Sequence, residues 1–282
     1  MEYRFLGPLA MWSESKTVRI SGERSRKLLA GLVVNANRDI SIDRLIDIVW
    51  GEDPPATARQ QIQNRLGRLR SVVSLNAPDQ QVRRHGDSYQ LTTAEEHVDG
   101  LRFRSLCAEA EIAHRHGHLP RAADLLRQGL TLWRGKAMQD VRSDALQADA
   151  VRWEESRLRA IERLVALEFA QGNSAATIPE LQSWVDSHPY HESLHCQLAE
   201  ALHAAGRTAE SLAVIRELRA RLDTELGIAP GVTVHEVERR ILVGQGGDSS
   251  TGFHLDREAA EALRRALTET TRALSILTVA LA

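Results

Sequence analysis

Between residues 98 and 243 apolar side chains return at helical spacing, and the interruptions are short connections carrying Gly, Asn or Pro. The pattern predicts helices over about 98–117, 120–133, 144–172, 178–187, 192–205 and 208–226. Amphipathic helices joined this tightly must bury their apolar stripes against one another, so this stretch is confined to helix-on-helix packing. With 43% hydrophobic but only 4% aromatic residues, the core is expected to be mostly Leu, Ala, Val and Ile. Small residues recur in a tetratricopeptide-like way. His116-Gly117-His118 is followed by Ala122-Ala123 and Ala205-Gly206-Arg207 by Ala209, which suggests glycine letting the two helices of a hairpin approach. The repeats are degenerate, and a generic helical bundle is the alternative.

The first 96 residues follow other rules. Loose alternation over 3–10, punctuated by Gly7-Pro8, and again over 17–20 predicts short strands. The period then becomes helical. Leu28, Leu29, Leu32 and Val33 share one face of a helix over 23–35, and Ser41 caps a second helix carrying Leu45, Ile46, Val49 and Trp50. Gly51 stops that helix, and Pro54-Pro55 stiffens the turn into a third over about 56–75. Beyond Pro78, residues 81–84 and 89–91 flank His85-Gly86-Asp87-Ser88, the pattern of a β-hairpin. Strands, three helices and a terminal hairpin make a winged helix.

The third helix carries the chemistry. Ile62, Leu66, Leu69 and Val73 form a narrow apolar stripe, and the opposite face shows Thr57, Gln60, Asn64, Gly67, Arg68 and Ser71. Arg59, Gln63 and Arg70 lie along one flank, Gln61 and Arg65 along the other, with no acid anywhere on the helix. Such a surface suits the major groove of duplex DNA: Arg pairs bidentately with guanine, Gln and Asn with adenine, and the remainder bind phosphate. A solvated surface helix is the alternative, though such helices usually mix Glu with Lys or Arg. The chain's net charge of -2 gives no global attraction to nucleic acid, but residues 54–94 hold six arginines against two aspartates, a local +4. Arg83 and Arg84 in the hairpin, with Arg24, Arg26 and Lys27 at the start of the first helix, are placed to meet phosphates, ordinary surface charge being the alternative.

Signals for other chemistry are weak. Glycines at 129 and 135 before Lys136 imitate a phosphate loop, but their spacing is one residue too long and Ala137 stands where Ser or Thr is needed. His114, His116 and His118 diverge on a helix, while His188, His191 and His195 lack a carboxylate or second Cys to complete a coordination set, which favours capping or packing. No metal, cofactor or catalytic residue is expected, and an enzyme has only scattered histidines in its favour. Cys107 and Cys196 are read as small buried thiols. With no signal-peptide pattern and no apolar run near the ~20 residues of a membrane span, the expectation is a cytoplasmic chain without membrane contact. The expected class is mainly α: an α+β winged helix-turn-helix (1–96) followed by an all-α tetratricopeptide-like repeat domain (97–243). A flexible linker (244–252) and a C-terminal amphipathic helix (253–282) complete the chain, that helix either forming a homodimer or docking within the chain.

Several stretches resemble the actinomycete antibiotic regulatory proteins, which join an OmpR-type winged helix to a bacterial transcriptional activator domain. They are LGPL at 6–9, ERSRKLLAGLVVNANR at 23–38, WGEDPPATA at 50–58, Leu69-Arg70, LWRG at 132–135 and HPYHESLHCQLAEALHAAGRTAESLAVIRELRARLDTELGIAPG at 188–231. The match covers about 1–242. The resemblance implies a sequence-specific activator of secondary-metabolite (antibiotic) genes that binds direct repeats near promoters and recruits RNA polymerase. It implies that Gln61, Asn64, Arg68 and Arg70 face DNA. It also implies that the turn of Trp50, Gly51, Glu52, Asp53, Pro54 and Pro55 touches the polymerase holoenzyme at its sigma subunit. The wing departs from the family pattern, with Ser88 rather than Gly before Tyr89, and the ATPase module of many larger relatives is missing. The alternative is a regulator whose repeats hold a partner protein or small ligand that gates DNA binding.

Overall fold

A computed structural model describes residues 1–13 and 16–244, so the expected linker beyond Gly244 and the expected terminal helix lie outside the described residues. These fall into two compact units, 1–187 and 188 onward.

The first unit opens with an antiparallel sheet of β1 (Glu2–Arg4), β2 (Ala10–Ser13) and β3 (Lys16–Thr17), in that order. Helices α1 (Glu23–Val34), α2 (Ile42–Trp50) and α3 (Ala58–Asn76) follow. Ser41 caps α2 as its sequence predicts, its hydroxyl accepting from the Arg44 N–H at 3.1 Å. The hairpin of β5 (Gln81–His85) and β6 (Ser88–Thr92) turns at Gly86, φ 58°. A strand the sequence did not signal, β4 (Ile40–Ser41), pairs with β6 through Ile40 and Tyr89. That pairing ties the start of α2 to the wing.

Three further helices pack on this unit's core: α4 (Asp99–Arg115), α5 (Leu119–Leu130) and α6 (Asp144–Ala170), with α7 (Ile178–Ser187) after them. The core is continuous across positions 96 and 97, where the sequence suggests a domain boundary: Tyr3, Phe5, Leu28 and Ile62 share it with Phe103, Leu126 and Trp153. Phe5 meets Trp153 edge-on at 5.0 Å between ring centroids. A Cβ on Gly100 would stand 2.2 Å from the Phe5 ring, so only glycine admits this contact.

Polar bonds reinforce the junction. The carboxylate of Asp99 accepts from the N–H groups of Phe5 (2.9 Å), Leu6 (3.0 Å) and Gly100 (2.8 Å), and Arg134 lies 3.5 Å away. Burial pushes this carboxyl above the usual aspartate range, while the amides and Arg134 pull it back. The N–H of Arg134 donates to Leu6 O and that of Met138 to Phe5 O, each at 2.8 Å, and Leu9 N–H donates to Asp140 at 2.7 Å. The expected helix over 120–133 stops early, at Leu130: the Leu132 and Trp133 N–H groups turn to the carbonyls three residues back, Gly129 O and Leu130 O, and the next amide, that of Arg134, has already left for Leu6 O. Gly7 (φ 139°) makes the fit possible, since a Cβ there would sit 3.0 Å from Arg134 Cβ.

The second unit contains α8 (Glu192–Ala204), α9 (Thr208–Arg221), a π-helical turn at Leu222–Leu226 and α10 (Val232–Gly244). Its core is Cys196, Ala199, Ile215, Leu218, Leu222, Val234, Val237 and Ile241. The sequence reading had no separate helix after 226, and α10 supplies three of these eight side chains. Gly206 does not serve close approach, as its sequence context suggested: a Cβ there would meet nothing within 4 Å. Its φ of 77° instead lets Arg207 N–H reach Leu202 O at 2.9 Å, a Schellman cap. Gly117, in the first unit, repeats the device with His118 N–H bonded to Ala113 O. His195, 2% exposed on α8, places Nδ1 3.1 Å from His191 O, and burial lowers its pKa below 6.5.

Two outcomes are expected. Asp99→Ala strands buried amides and an arginine, so urea denaturation should show a loss of about 3–5 kcal/mol with an unchanged m-value; a loss under about 1 kcal/mol would show the carboxylate to be dispensable. For His195, the unfolded chain gains a proton below pH 6.5 that the folded form resists, so stability falls as pH drops through that window. Thermal melts of the whole chain should show this acid sensitivity, and His195→Gln should reduce it.

Candidate nucleic-acid interface

Helix α3 buries Ala58, Ile62, Leu66, Leu69 and Val73, one side chain more than the sequence stripe predicts. Each large one contributes roughly 1.5–3 kcal/mol, enough to fix the helix's rotation. That rotation exposes Arg59, Gln60, Asn64, Gly67, Arg68, Arg70 and Ser71 and leaves Gln61, Gln63 and Arg65 half-buried.

Several of these groups are already oriented. Gln60 Nε2 donates to Asn64 Oδ1 at 3.2 Å, an amide ladder along the exposed face, and Gln61 Nε2 donates to Thr57 Oγ1 at 3.1 Å. Arg59 bridges Asp43 of α2 (3.3 Å) and Asp87 of the wing turn (3.1 Å). Arg70 donates from Nε to Val82 O in β5 at 2.9 Å, which draws it toward the wing. Among the described residues, neither Gln63 nor Arg68 is held by a side-chain hydrogen bond or an ion pair. In the wing, Arg83 and Arg84 are exposed, Arg83 bonded to Gln81 and Arg84 to Gly86 O and near Asp87 at 4.0 Å.

The basic residues of α1 are more committed. Arg26 is held by Leu9 O and by the carboxylate of Asp140, which makes it a strut between α1 and the segment before α6. Lys27 pairs with Glu23 at 3.1 Å. Arg24 is exposed and its guanidinium lies 5.6 Å from the Trp50 ring. Residues 51–55 are exposed, and Glu52 and Asp53 form an acidic tip with no basic partner among the described residues.

Sequence reasoning missed two features of this surface. The acids Asp43 and Asp87 converge on Arg59, a meeting that depends on the β4–β6 pairing. Arg19 and Ser21, just before α1, line a small cleft with Ser25, Arg65 and Arg68; the loose alternation over 17–20 was the only available signal.

Elsewhere, both thiols are pushed up to about 11 by burial and are poor nucleophiles at neutral pH. Among the described residues, no three His, Cys, Asp or Glu side chains converge as a metal site would require, and no helix is long and apolar enough to cross a membrane.

Residues 98–242 match the bacterial transcriptional activator domain. Regulatory protein AfsR of Streptomyces coelicolor is 34% identical over 242 residues, covering 86% of this chain and 24% of AfsR. Regulatory protein DnrI of Streptomyces peucetius is 30% identical over 272 residues, covering 93% of this chain and 100% of DnrI. The chain therefore spans about a quarter of one relative and the whole of the other. Among solved structures, Mycobacterium tuberculosis EmbR in complex with a low-affinity phosphopeptide matches with a TM-score of 0.79 at 28% identity, covering 97% of this chain and 70% of that one.

Proposed function

Because the chain belongs to the family of bacterial transcriptional activator domain regulators, we propose that it is a non-enzymatic, sequence-specific DNA-binding activator working in the cytoplasm. The observation that carries this reading is the exposed face of α3, which presents Arg, Gln and Asn and no acid of its own, with Arg70 bonded to strand β5 of the wing. In this reading α3 enters the major groove, where Gln60, Asn64 and their neighbours reach base edges. Arg83, Arg84 and Arg70, drawn to the wing side, grip the flanking phosphates. Residues 1–96 supply this DNA-reading part and 97–243 the activator part. Of the α1 residues, Arg24 remains a backbone contact, while Arg26 serves the internal strut to Asp140.

The genes controlled are those of secondary metabolism, with operators built as direct repeats near promoters. The turn of residues 50–55 faces RNA polymerase rather than DNA. Its acidic tip, Glu52 and Asp53, would be repelled by phosphate and complements a basic protein surface such as one on the sigma subunit.

Selection of binding sites from random duplexes with the whole chain should return a defined motif, and failure to enrich any motif would overturn the reading. On the selected duplex, Gln60→Ala with Asn64→Ala should cost about 1–3 kcal/mol per lost base contact, while affinity for unrelated duplex stays near wild type. Asp87→Asn should raise affinity for any duplex several-fold at low salt by removing a repulsive charge and leaving Arg59 only its Asp43 partner; lowered affinity would show that the bridge orients the helix instead.

A further inference from the structure

Arg19, Arg65 and Arg68 line one cleft of about 150 Å³ with Ser21 and Ser25, walled by Ile20, Leu28, Leu69 and Val72. Arg65 and Arg68 come from α3, Ser25 from the first turn of α1, and Arg19 and Ser21 from the chain entering α1. The lining of the cleft contains three arginines and no acidic residue.

Three like charges around one small cleft repel one another unless an anion lies among them. Several arginines of this protein have acids beside them: Arg59 has Asp43 and Asp87, Arg26 has Asp140, Arg127 has Glu168. Here, among the described residues, Arg19 and Arg68 pair with no acid. Arg65 spends one NH group on Ser25 Oγ at 3.3 Å, and its Nε is enclosed without a hydrogen-bond partner. Because Ser25 Oγ accepts from Arg65, its own proton is free to donate elsewhere. Planar guanidinium donors and a hydroxyl donor around a small volume suit a tetrahedral oxyanion.

We infer that this cleft seats one phosphate of the DNA backbone, with Arg19, Arg65, Arg68 and Ser25 as its donors, on the flank of α3 that faces α1. The inference rests on the DNA-binding reading above and deepens it. Arg65 and Arg68 then position the duplex rather than read bases, and sequence discrimination falls to the Gln60 and Asn64 face. Arg19, outside the winged helix's recognition helix and hairpin, becomes part of the interface.

The test is the salt dependence of binding by the whole chain to a short mixed-sequence duplex, followed by fluorescence anisotropy. Arg19 is exposed, so Arg19→Gln should leave the circular dichroism spectrum and melting temperature unchanged. It should weaken binding and reduce the slope of log K against log salt by about 1, as loss of one phosphate contact predicts. Arg19→Lys, which keeps the point charge, should retain most of the slope. An unchanged slope and affinity in Arg19→Gln would overturn the inference while leaving DNA binding intact. No duplex binding by the wild type at low salt would instead remove the underlying reading. Inorganic phosphate provides the remaining arm: if it raises the melting temperature of the wild type but not of Arg19→Gln, while duplex binding is equal for both, the cleft takes a free anion and not the DNA backbone.

Discussion

The carboxylate of Asp99 accepts three backbone N–H groups in a place almost closed to water, and the first unit is arranged around that anchorage. Left uncompensated, a buried charge would be expelled or neutralised; here the amides of Phe5, Leu6 and Gly100 and the guanidinium of Arg134 compensate it. The same few atoms hold the first strand against α4, and through Arg134 and Met138 they hold the 131–143 segment as well. Phe5, threaded between these bonds, reaches Trp153 and joins the two aliphatic regions into one core. The orientation of α3 derives from this frame, because its buried stripe packs on α1 and α2, which sit on that core.

The surface carried by this frame divides its charges by position. Arg68 and Arg70 of α3 and Arg83 and Arg84 of the wing are exposed, Arg26 of α1 is held as an internal strut, and the α2–α3 turn carries the acidic tip of Glu52 and Asp53. On the proposed function, a duplex and a basic protein would meet different side chains of the same small fold. Among the outward cations, Arg59 already has carboxylate partners, whereas Arg68 has none among the described residues. On the proposed function, a phosphate would exchange partners at Arg59 but supply a first one at Arg68.

Local signals were legible in the sequence, and long-range ones were not. The α3 stripe, the Ser41 cap and the wing turn at Gly86 each depend on residues within a few positions, so periodicity and turn chemistry located them. The bonds between Phe5–Leu9 and Arg134–Asp140 join residues more than 120 positions apart, and nothing in either stretch announces the other. The bond between Arg26 and Asp140 likewise joins residues 114 positions apart, so a side chain expected to meet phosphate is held within the fold. Glycine was misread for a subtler reason: Gly206 looked like a packing residue, but its hydrogen is needed for backbone handedness, which composition does not reveal. The LGPL and LWRG stretches, far apart in the sequence, are two halves of one contact.

That contact bears on how such chains can be recombined. The backbone bonds from Leu6 and Phe5 to Arg134 and Met138 pass over the junction at 96 and 97, so a splice there would pair a foreign N-terminal strand with a segment shaped for another. Hybrid regulators assembled from relatives would have to inherit residues 1–187 as an indivisible cassette, and an exchange of Gly7 in one half would have to be matched by a retreat of the chain at Arg134 in the other.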